Sequence, residues 1–231
     1  MNEQDPYVML MCSLPRSERL FLAKQPPLSR LKLEQRLRVL TPEDAETLRL
    51  VERVLSWREL PITASEQEVI ERGRQAISRI GSPTLREIVR DRLEIRTCVA
   101  ALRRRSRGEA APSPETRWGF GRWVAHIARN WTEPGFRLDN VFPWIRELDR
   151  LMREDDPVAV ERLILDQANK RLQRHAGFHT FDLEAVVIYV LKWNIFDRWA
   201  RANTEAAARR FEDLTMAGLG EHASLSFGGE A

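Results

Sequence analysis

Few side chains in this sequence have the types and spacing that metal binding or catalysis requires. His175 and His179 lie four residues apart, a metal-ligand spacing on a helix, but Gly177 between them indicates a helix end, and no third ligand is placed nearby. Cys12 has no partner histidine motif, and Cys98 lies in an apolar helical pattern that is typical of a protein core. We therefore expect no metal site and no nucleophilic cysteine here.

Two short motifs have simpler explanations than cofactor binding or catalysis. Gly119 and Gly121 lack the preceding strand and the later glycine of a dinucleotide-binding loop. Asp155 and Asp156 precede Pro157, which is typical of a helix N-cap rather than of two catalytic acids. The sequence thus predicts no catalytic residue, no cofactor and no small-molecule substrate, and we expect that the protein is not an enzyme.

One arginine lies on an apolar helix face. Arg92 shares a predicted helical face with Ile88, Ile95 and Val99. Its stem can pack against the protein while its head group reaches solvent. Alternatively, it places a charge in a groove that binds another protein. Both interpretations remain open from the sequence.

A second group of arginines ends the same predicted helix. These residues either form a solvated basic helix end, which the helix dipole favours, or dock on an acidic partner surface. The candidate partner-binding residues are therefore Arg92, Arg103, Arg104, Arg105 and Arg107.

Composition narrows the class of protein. The chain has 231 residues, 43% hydrophobic and 31% charged, which is typical of neither a disordered nor a membrane-embedded protein. Its 37 basic and 34 acidic side chains leave a net charge of only +3, a weak signal for nucleic-acid binding. With two cysteines, no targeting segment and no apolar run long enough to cross a bilayer, the sequence predicts a reduced, cytoplasmic setting.

Helix signals dominate from Ser29 onward. A capping residue precedes a proline at positions 41–42, 82–83 and 156–157, which predicts three helix starts. Apolar residues at helical spacing predict a long helix of about six turns that starts at Pro83 and ends within residues 103–108, and another that begins near Leu183. By contrast, the apolar run that starts at Tyr7 predicts a short extended segment or buried strand ending at Pro15.

These elements predict a mostly α-helical, multi-helix bundle in two halves. Residues 1–108 would hold the extended N-terminal segment and the first helical half, residues 109–217 an aromatic-rich second half, and residues 218–231 a flexible tail. The aromatic residues of the second half favour core packing or a partner interface, with base stacking as the alternative. They are Trp118, Phe120, Trp123, Trp131, Phe136, Phe142 and Trp144.

Several segments resemble proteins of V-type ATPases. Residues 7–15 (YVMLMCSLP), 26–29 (PPLS) and 40–44 (LTPED) resemble the opening of a short bacterial family of unassigned function, whose genes lie among those of V-type ATPase subunits. Residues 90–103 and 181–199 resemble helices of the larger V-type C-subunit family, whose eukaryotic members are called d-subunits. Members of the C-subunit family often have an asparagine where Glu94 stands, and their usual three-part chain is longer.

The resemblance implies a coupling role. Members of the C-subunit family sit between the central shaft and the membrane rotor ring, bind no nucleotide and perform no chemistry. We therefore expect a non-catalytic subunit of a proton- or sodium-translocating rotary ATPase that serves ion transport or ATP synthesis. Its partners would be the central-shaft subunits and the rotor ring, and it would be cytoplasmic, peripheral to the inner membrane and in contact with the membrane only through the complex. An assembly or regulatory factor of the same ATPase and an Arg-rich nucleic-acid-binding helical protein are the alternatives.

Overall fold

The computed structural model of this chain describes residues 5–16, 20–22, 25–55, 66–113 and 116–202. These residues form helices joined by turns and contain no strand, which confirms the predicted mostly α-helical, multi-helix fold. Within these ranges no helix combines the length and the apolar character that crossing a bilayer demands. The predicted tail, residues 218–231, lies outside the described residues, as do residues 203–217 of the predicted second half.

The described residues include nine α-helices and one short 3₁₀ turn, Pro134–Arg137, which precedes the seventh helix. The helices are α1 (Asp5–Ser13), α2 (Arg30–Leu37), α3 (Pro42–Leu55), α4 (Glu66–Arg79), α5 (Pro83–Ser106), α6 (Val124–Arg129), α7 (Ile145–Arg153), α8 (Pro157–Ala176) and α9 (residues 183–202).

The capping residues predicted from the sequence do cap their helices. Backbone N–H groups donate to Thr41 Oγ1 (3.1 Å), Ser82 Oγ (3.3 Å) and Asp156 Oδ1 (2.9 Å) at the starts of α3, α5 and α8. At the start of α9, the N–H of Ala185 donates to Asp182 Oδ1 (2.8 Å). Each cap satisfies a backbone donor that the first helical turn leaves without an intrahelical acceptor.

The apolar run near the N-terminus forms α1 rather than the predicted extended segment. Leu10 is buried, and Tyr7 and Met11 pack against the same core cluster, so the contacts recur at helical spacing. Val8 and Met9 face outward and are exposed. A short, unbroken apolar run fits a helix and a strand equally well, so its packing partners decide between them.

Helix α5 lies at the centre of the fold and contacts α3, α4, α6, α7 and α8. Its predicted apolar face is buried along its length. The residues that form this face are Leu85, Ile88, Val89, Ile95, Val99 and Leu102.

Two core clusters meet at α5, and they do not follow the predicted halves of the chain. The first cluster joins residues 10–93 with residues 165–199, and the second is drawn from residues 95–164. Helix α9 therefore packs with the N-terminal helices, although 109–217 were expected to form a half of their own. Helices of both predicted halves, α8 among them, belong to the cluster that α9 joins, which residue order along the chain does not reveal.

The aromatic segment belongs to the second cluster. Most of its large rings are buried there, although residues 116–144 consist mainly of turns and irregular backbone, not of the apolar helices in which we expected them. Trp123 is only partly buried, and Phe120 is partly buried and packs against the first cluster. Trp118 and Trp131 meet edge to face at 6.1 Å, and Trp131 packs on Phe136 at 5.5 Å. Core packing of these aromatic residues is thus confirmed.

A glycine allows this segment to approach α5 closely. Gly121 has a φ of +99°, and a Cβ built on it would lie 2.4 Å from Glu94 Cγ. The N–H of Phe120 donates to Thr97 Oγ1 (2.8 Å), and the N–H of Arg122 donates to Glu94 Oε1 (3.2 Å). The two buried polar side chains of α5 therefore hold the start of the aromatic segment in place.

Candidate functional site

A cavity of about 680 Å³ lies among helices that are distant in sequence. Its apolar lining includes Ile88 and Ile95 on α5, Leu165 on α8, and Leu191 and Trp193 on α9. Helices α2 and α3 contribute polar side chains to the same lining. No contiguous motif encodes such a site, because each helix supplies only one face to it.

Ion pairs border the cavity. Among the lining residues that the structure describes, five arginines accompany four carboxylates. Four of these arginines pair with lining carboxylates: Arg30 with Glu52 (2.9 Å), Arg171 with Asp91 (3.2 Å), Arg198 with Glu161 (2.6 Å) and Arg201 with Asp197 (3.0 Å). Within the described part of the lining, arginines therefore outnumber carboxylates by one.

The α2 side of the cavity is held by a small polar network. The Arg30 guanidinium lies 5.6 Å from the centre of the Trp193 ring and also pairs with Glu52. Burial lowers the pKa of Arg30, but hydrogen bonds to Glu52 and Glu34 outweigh it and raise the pKa above the ordinary value. Asn194 Nδ2 donates to the same Glu52 carboxylate (2.9 Å). This wall is therefore fixed by its own contacts.

Arg92 is the fifth arginine of the lining. Burial, and then the neighbouring charges of Arg198 and Arg96, lower the pKa of Arg92 to about 10. The guanidinium consequently stays charged at neutral pH, in surroundings that disfavour the charge. The structure places Arg92 in a cavity that α8 and α9 also line, whereas the sequence indicated only an arginine on an apolar face.

The arginines at the end of α5 have separate environments. Arg103 and Arg107 are exposed. Partial burial of the Arg103 guanidinium, together with the charges of Arg107 and Arg198, lowers its pKa. Arg104 Nε donates to Glu109 (2.7 Å) near the surface. These three residues form the basic surface at the C-terminus of α5, which we call the α5 basic end.

Arg105 points into the protein instead. Its guanidinium pairs with Asp149 (2.9 Å) and donates to the carbonyl oxygens of Trp131 (3.2 Å) and Glu133 (2.8 Å). It also lies 4.4 Å from the centre of the Phe136 ring. Arg105 therefore connects α5 to α7 and to the aromatic segment, a structural role that the sequence did not distinguish from docking.

The two histidines of the metal-like spacing have different neighbours. His175 Nε2 lies 3.6 Å from Asp91, while His179 Nδ1 lies 2.7 Å from Asp182. The ligand atoms of His179, Asp182 and Glu184 lie within 4.8 Å of one another, so the described residues do bring one metal-like group together, without His175. Asp182 also caps α9, and Glu184 accepts a hydrogen bond from Ser82 Oγ at 2.5 Å. Asp182 and Glu184 thus make the contacts that are typical of polar residues near helix ends.

Four sequence segments, residues 7–15, 26–29, 40–44 and 181–199, contact one another through hydrogen bonds. Tyr189 in α9 donates from its hydroxyl to the carbonyl of Pro15 (3.0 Å), and burial raises the pKa of Tyr189 to about 12. Trp193 Nε1 donates to the carbonyl of Leu28 (2.8 Å). The Tyr7 hydroxyl bonds to the Asp44 carboxylate, and burial and this carboxylate raise the pKa of Tyr7.

The cavity was missed in the sequence because its polar residues belong to no motif. Arg30, Glu52 and Asn194 come from three helices and meet only in the folded chain. The available signal was Arg92, a charge on an apolar face of α5.

A comparison of the chain with protein-family models, curated proteins and solved structures finds no match.

Proposed function

We propose that this chain is a non-catalytic helical component of a V-type rotary ATPase. It would join the central shaft to the membrane rotor ring and so serve ion transport or ATP synthesis. It would work on the cytoplasmic side, peripheral to the inner membrane, and bind its partners through protein surfaces.

One observation carries the proposal. The five segments that resemble V-type ATPase proteins are scattered along the chain, yet hydrogen bonds link four of them in the fold: residues 7–15, 26–29, 40–44 and 181–199. Residues 7–15 and 26–29 supply the carbonyl groups of Pro15 and Leu28, which accept hydrogen bonds from Tyr189 and Trp193 of α9. The two segments that resemble the C-subunit family also line the same cavity, through α5 and α9. If the resemblance were only a chance likeness among unrelated helices, there would be no reason for these segments to lie next to one another in the fold.

The helical architecture also suits a coupling component. Such a component must transmit force, and a helical body joined by buried cores is stiff because packed interiors resist compression. The α5 basic end offers a surface for an acidic partner, since Arg103 and Arg107 are exposed there. An assembly or regulatory factor would use the same surface transiently.

The nucleic-acid alternative has less support. Stacking on bases requires accessible ring faces. Trp118, Trp131, Phe136 and Phe142 are buried in the second core cluster, so these rings serve packing. The remaining argument for nucleic acid is the arginine content alone.

The test is purification of the intact ATPase from cells that carry a tagged copy of this chain. We expect the shaft and ring subunits to co-purify with it in fixed ratio, as for a permanent component. Recovery with incomplete assemblies only would favour the assembly factor. Absence of every ATPase subunit would overturn the proposal.

A charge-reversed variant tests the docking surface. Arg103→Glu combined with Arg107→Glu should weaken co-purification without unfolding the chain, because both side chains are exposed. Arg72→Glu combined with Arg74→Glu is the matched control, since these exposed arginines of α4 give the same change in net charge. Equal recovery of both variants would exclude the α5 basic end as the docking surface.

A further inference from the structure

We propose that the cavity among α3, α5, α8 and α9 binds a small organic anion, with an apolar body against the helices and an anionic head group, carboxylate or phosphate, at Arg92. This inference goes beyond the proposed function and does not rest on it. It also departs from the sequence, which predicted no small-molecule partner.

The dimensions of the cavity suit such a ligand. Its volume of about 680 Å³ falls within the range of roughly 300–1,000 Å³ that is typical of small-molecule sites. Ile88, Leu165, Leu191 and Ile195 present apolar side chains to it from three helices. Sites of this kind bind the body of a ligand by apolar contact and orient it with a few polar groups.

The charges of the lining select an anion. Five arginines and four carboxylates are among the described lining residues, so this part of the lining carries one net positive charge. Besides burial, the charges that lower the pKa of Arg92 are those of Arg198 and Arg96. An anion placed among these guanidinium groups relieves their mutual repulsion, and a cation increases it.

The chemistry of arginine specifies the head group. The planar guanidinium donates parallel hydrogen bonds that match the two oxygens of a carboxylate or a phosphate. Partial removal from water strengthens the contact, because the local dielectric constant is lower than in bulk solvent. A neutral ligand of the same shape gains only the apolar contacts.

The test compares two fluorescent probes that differ mainly in charge. Anilinonaphthalene sulfonate carries an anionic head on an aromatic body, and N-phenylnaphthylamine is its uncharged analogue. We expect the purified chain to bind the sulfonate more tightly. Arg92→Met should weaken sulfonate binding by about tenfold or more, as loss of a charge-assisted contact predicts, and leave binding of the neutral probe within about twofold.

The matched control is Arg90→Met, which removes an exposed arginine from the same helix, outside the cavity. Its sulfonate affinity should equal that of the unmodified chain. Circular dichroism checks that both variants are folded. Sulfonate binding that is unchanged by Arg92→Met, or a parallel loss of both probes, would overturn the proposal.

A competition experiment then defines the ligand class. Decanoate, which joins a carboxylate to an apolar chain, should displace the sulfonate from the unmodified protein. Inorganic phosphate should displace it only at far higher concentration, because it lacks the apolar body. Displacement by phosphate as readily as by decanoate would contradict a site for an organic anion. Neither measurement involves the ATPase, so its outcome is independent of the proposed function.

Discussion

Arg92 and Arg105 lie on the same helix, and their surroundings are opposite. Arg105 is enclosed by Asp149, two carbonyl oxygens and the Phe136 ring. Arg92 lines a cavity, and burial, followed by the charges of Arg198 and Arg96, lowers its pKa. The same residue type therefore completes a closed structural cluster at one end of α5 and lines a cavity along the same helix.

The difference shows how side-chain environment decides the role of an arginine. A buried guanidinium whose hydrogen bonds are satisfied by protein groups stabilises the fold, and its removal leaves those groups without partners. A guanidinium among like charges contributes little to stability and remains suited to bind an anion. Stability and binding should consequently separate when the two residues are replaced one at a time.

The sharpest contrast with Arg92 is expected for Arg105→Met. The substitution removes the ion pair to Asp149 and the donors to the carbonyls of Trp131 and Glu133. We expect the free energy of unfolding to fall by about 3 kcal/mol, measured by urea denaturation. Asp149 keeps its ion pair with Arg153, which limits the loss.

Arg104→Met is the control for this prediction. Arg104 precedes Arg105 and pairs with Glu109 near the surface, so its removal should cost less than about 1 kcal/mol. Equal losses in the two variants would mean that the enclosure of Arg105 adds nothing to stability, and the contrast with Arg92 would disappear.

A smaller contrast, of about 2 kcal/mol between the two variants, is expected when leucines from the two regions are truncated. Leu102 is fully buried in the second core cluster, and Leu191 lines the cavity. Leucine-to-alanine substitutions cost about 2–5 kcal/mol, and the cost grows with the empty volume that remains. Leu102→Ala should lie near about 4 kcal/mol, and Leu191→Ala near about 2 kcal/mol, because Leu191 already borders the cavity.

Urea denaturation of both variants measures this difference. Leu31→Ala is the control, since Leu31 is 64% exposed on α2 and its truncation should change stability by no more than about 0.5 kcal/mol. If Leu191→Ala costs as much as Leu102→Ala, the lining of the cavity is packed as tightly as the closed core, and the comparison of the two regions fails.

The local elements of this fold were predictable because their signals are local. The caps Thr41, Ser82 and Asp156 satisfy backbone donors within their own first turns, so three helix starts follow from neighbouring residues. The apolar face of α5 follows from the helical repeat in the same way. At α1 the continuous apolar run does not distinguish helix from strand, and contacts with the rest of the core are needed to decide.

The cavity depends on contacts that cross the chain, which explains why the sequence revealed only part of it. Arg92 was recognisable as a charge on an apolar face. Its neighbour Arg198 lies on α9, which was expected in the other half of the protein. The sequence could not separate the roles of Arg103 and Arg105 either. It does not show that Asp149 lies beside Arg105 in the fold, while Arg103 is exposed.

The smallest effect on stability is expected for Arg92→Met. Methionine keeps an unbranched apolar stem and removes a charge that Arg198 and Arg96 repel. We expect the free energy of unfolding to stay within about 1 kcal/mol of the original value. A second measurement uses the thiol of Cys98, which is fully buried in the second core cluster. Burial raises the pKa of this thiol to about 12, so we expect it to react only when the cluster opens.

In a background with Cys12→Ser, which removes the exposed thiol, disulfide-exchange labelling reports on Cys98 alone. Arg92→Met should leave the labelling rate unchanged within about twofold, while Arg105→Met should raise it in proportion to its loss of stability. A rise in Cys98 labelling in Arg92→Met as large as in Arg105→Met would make Arg92 a structural residue. Loss of sulfonate binding in that variant would then reflect opening of the fold. Unchanged labelling leaves the missing charge as its cause.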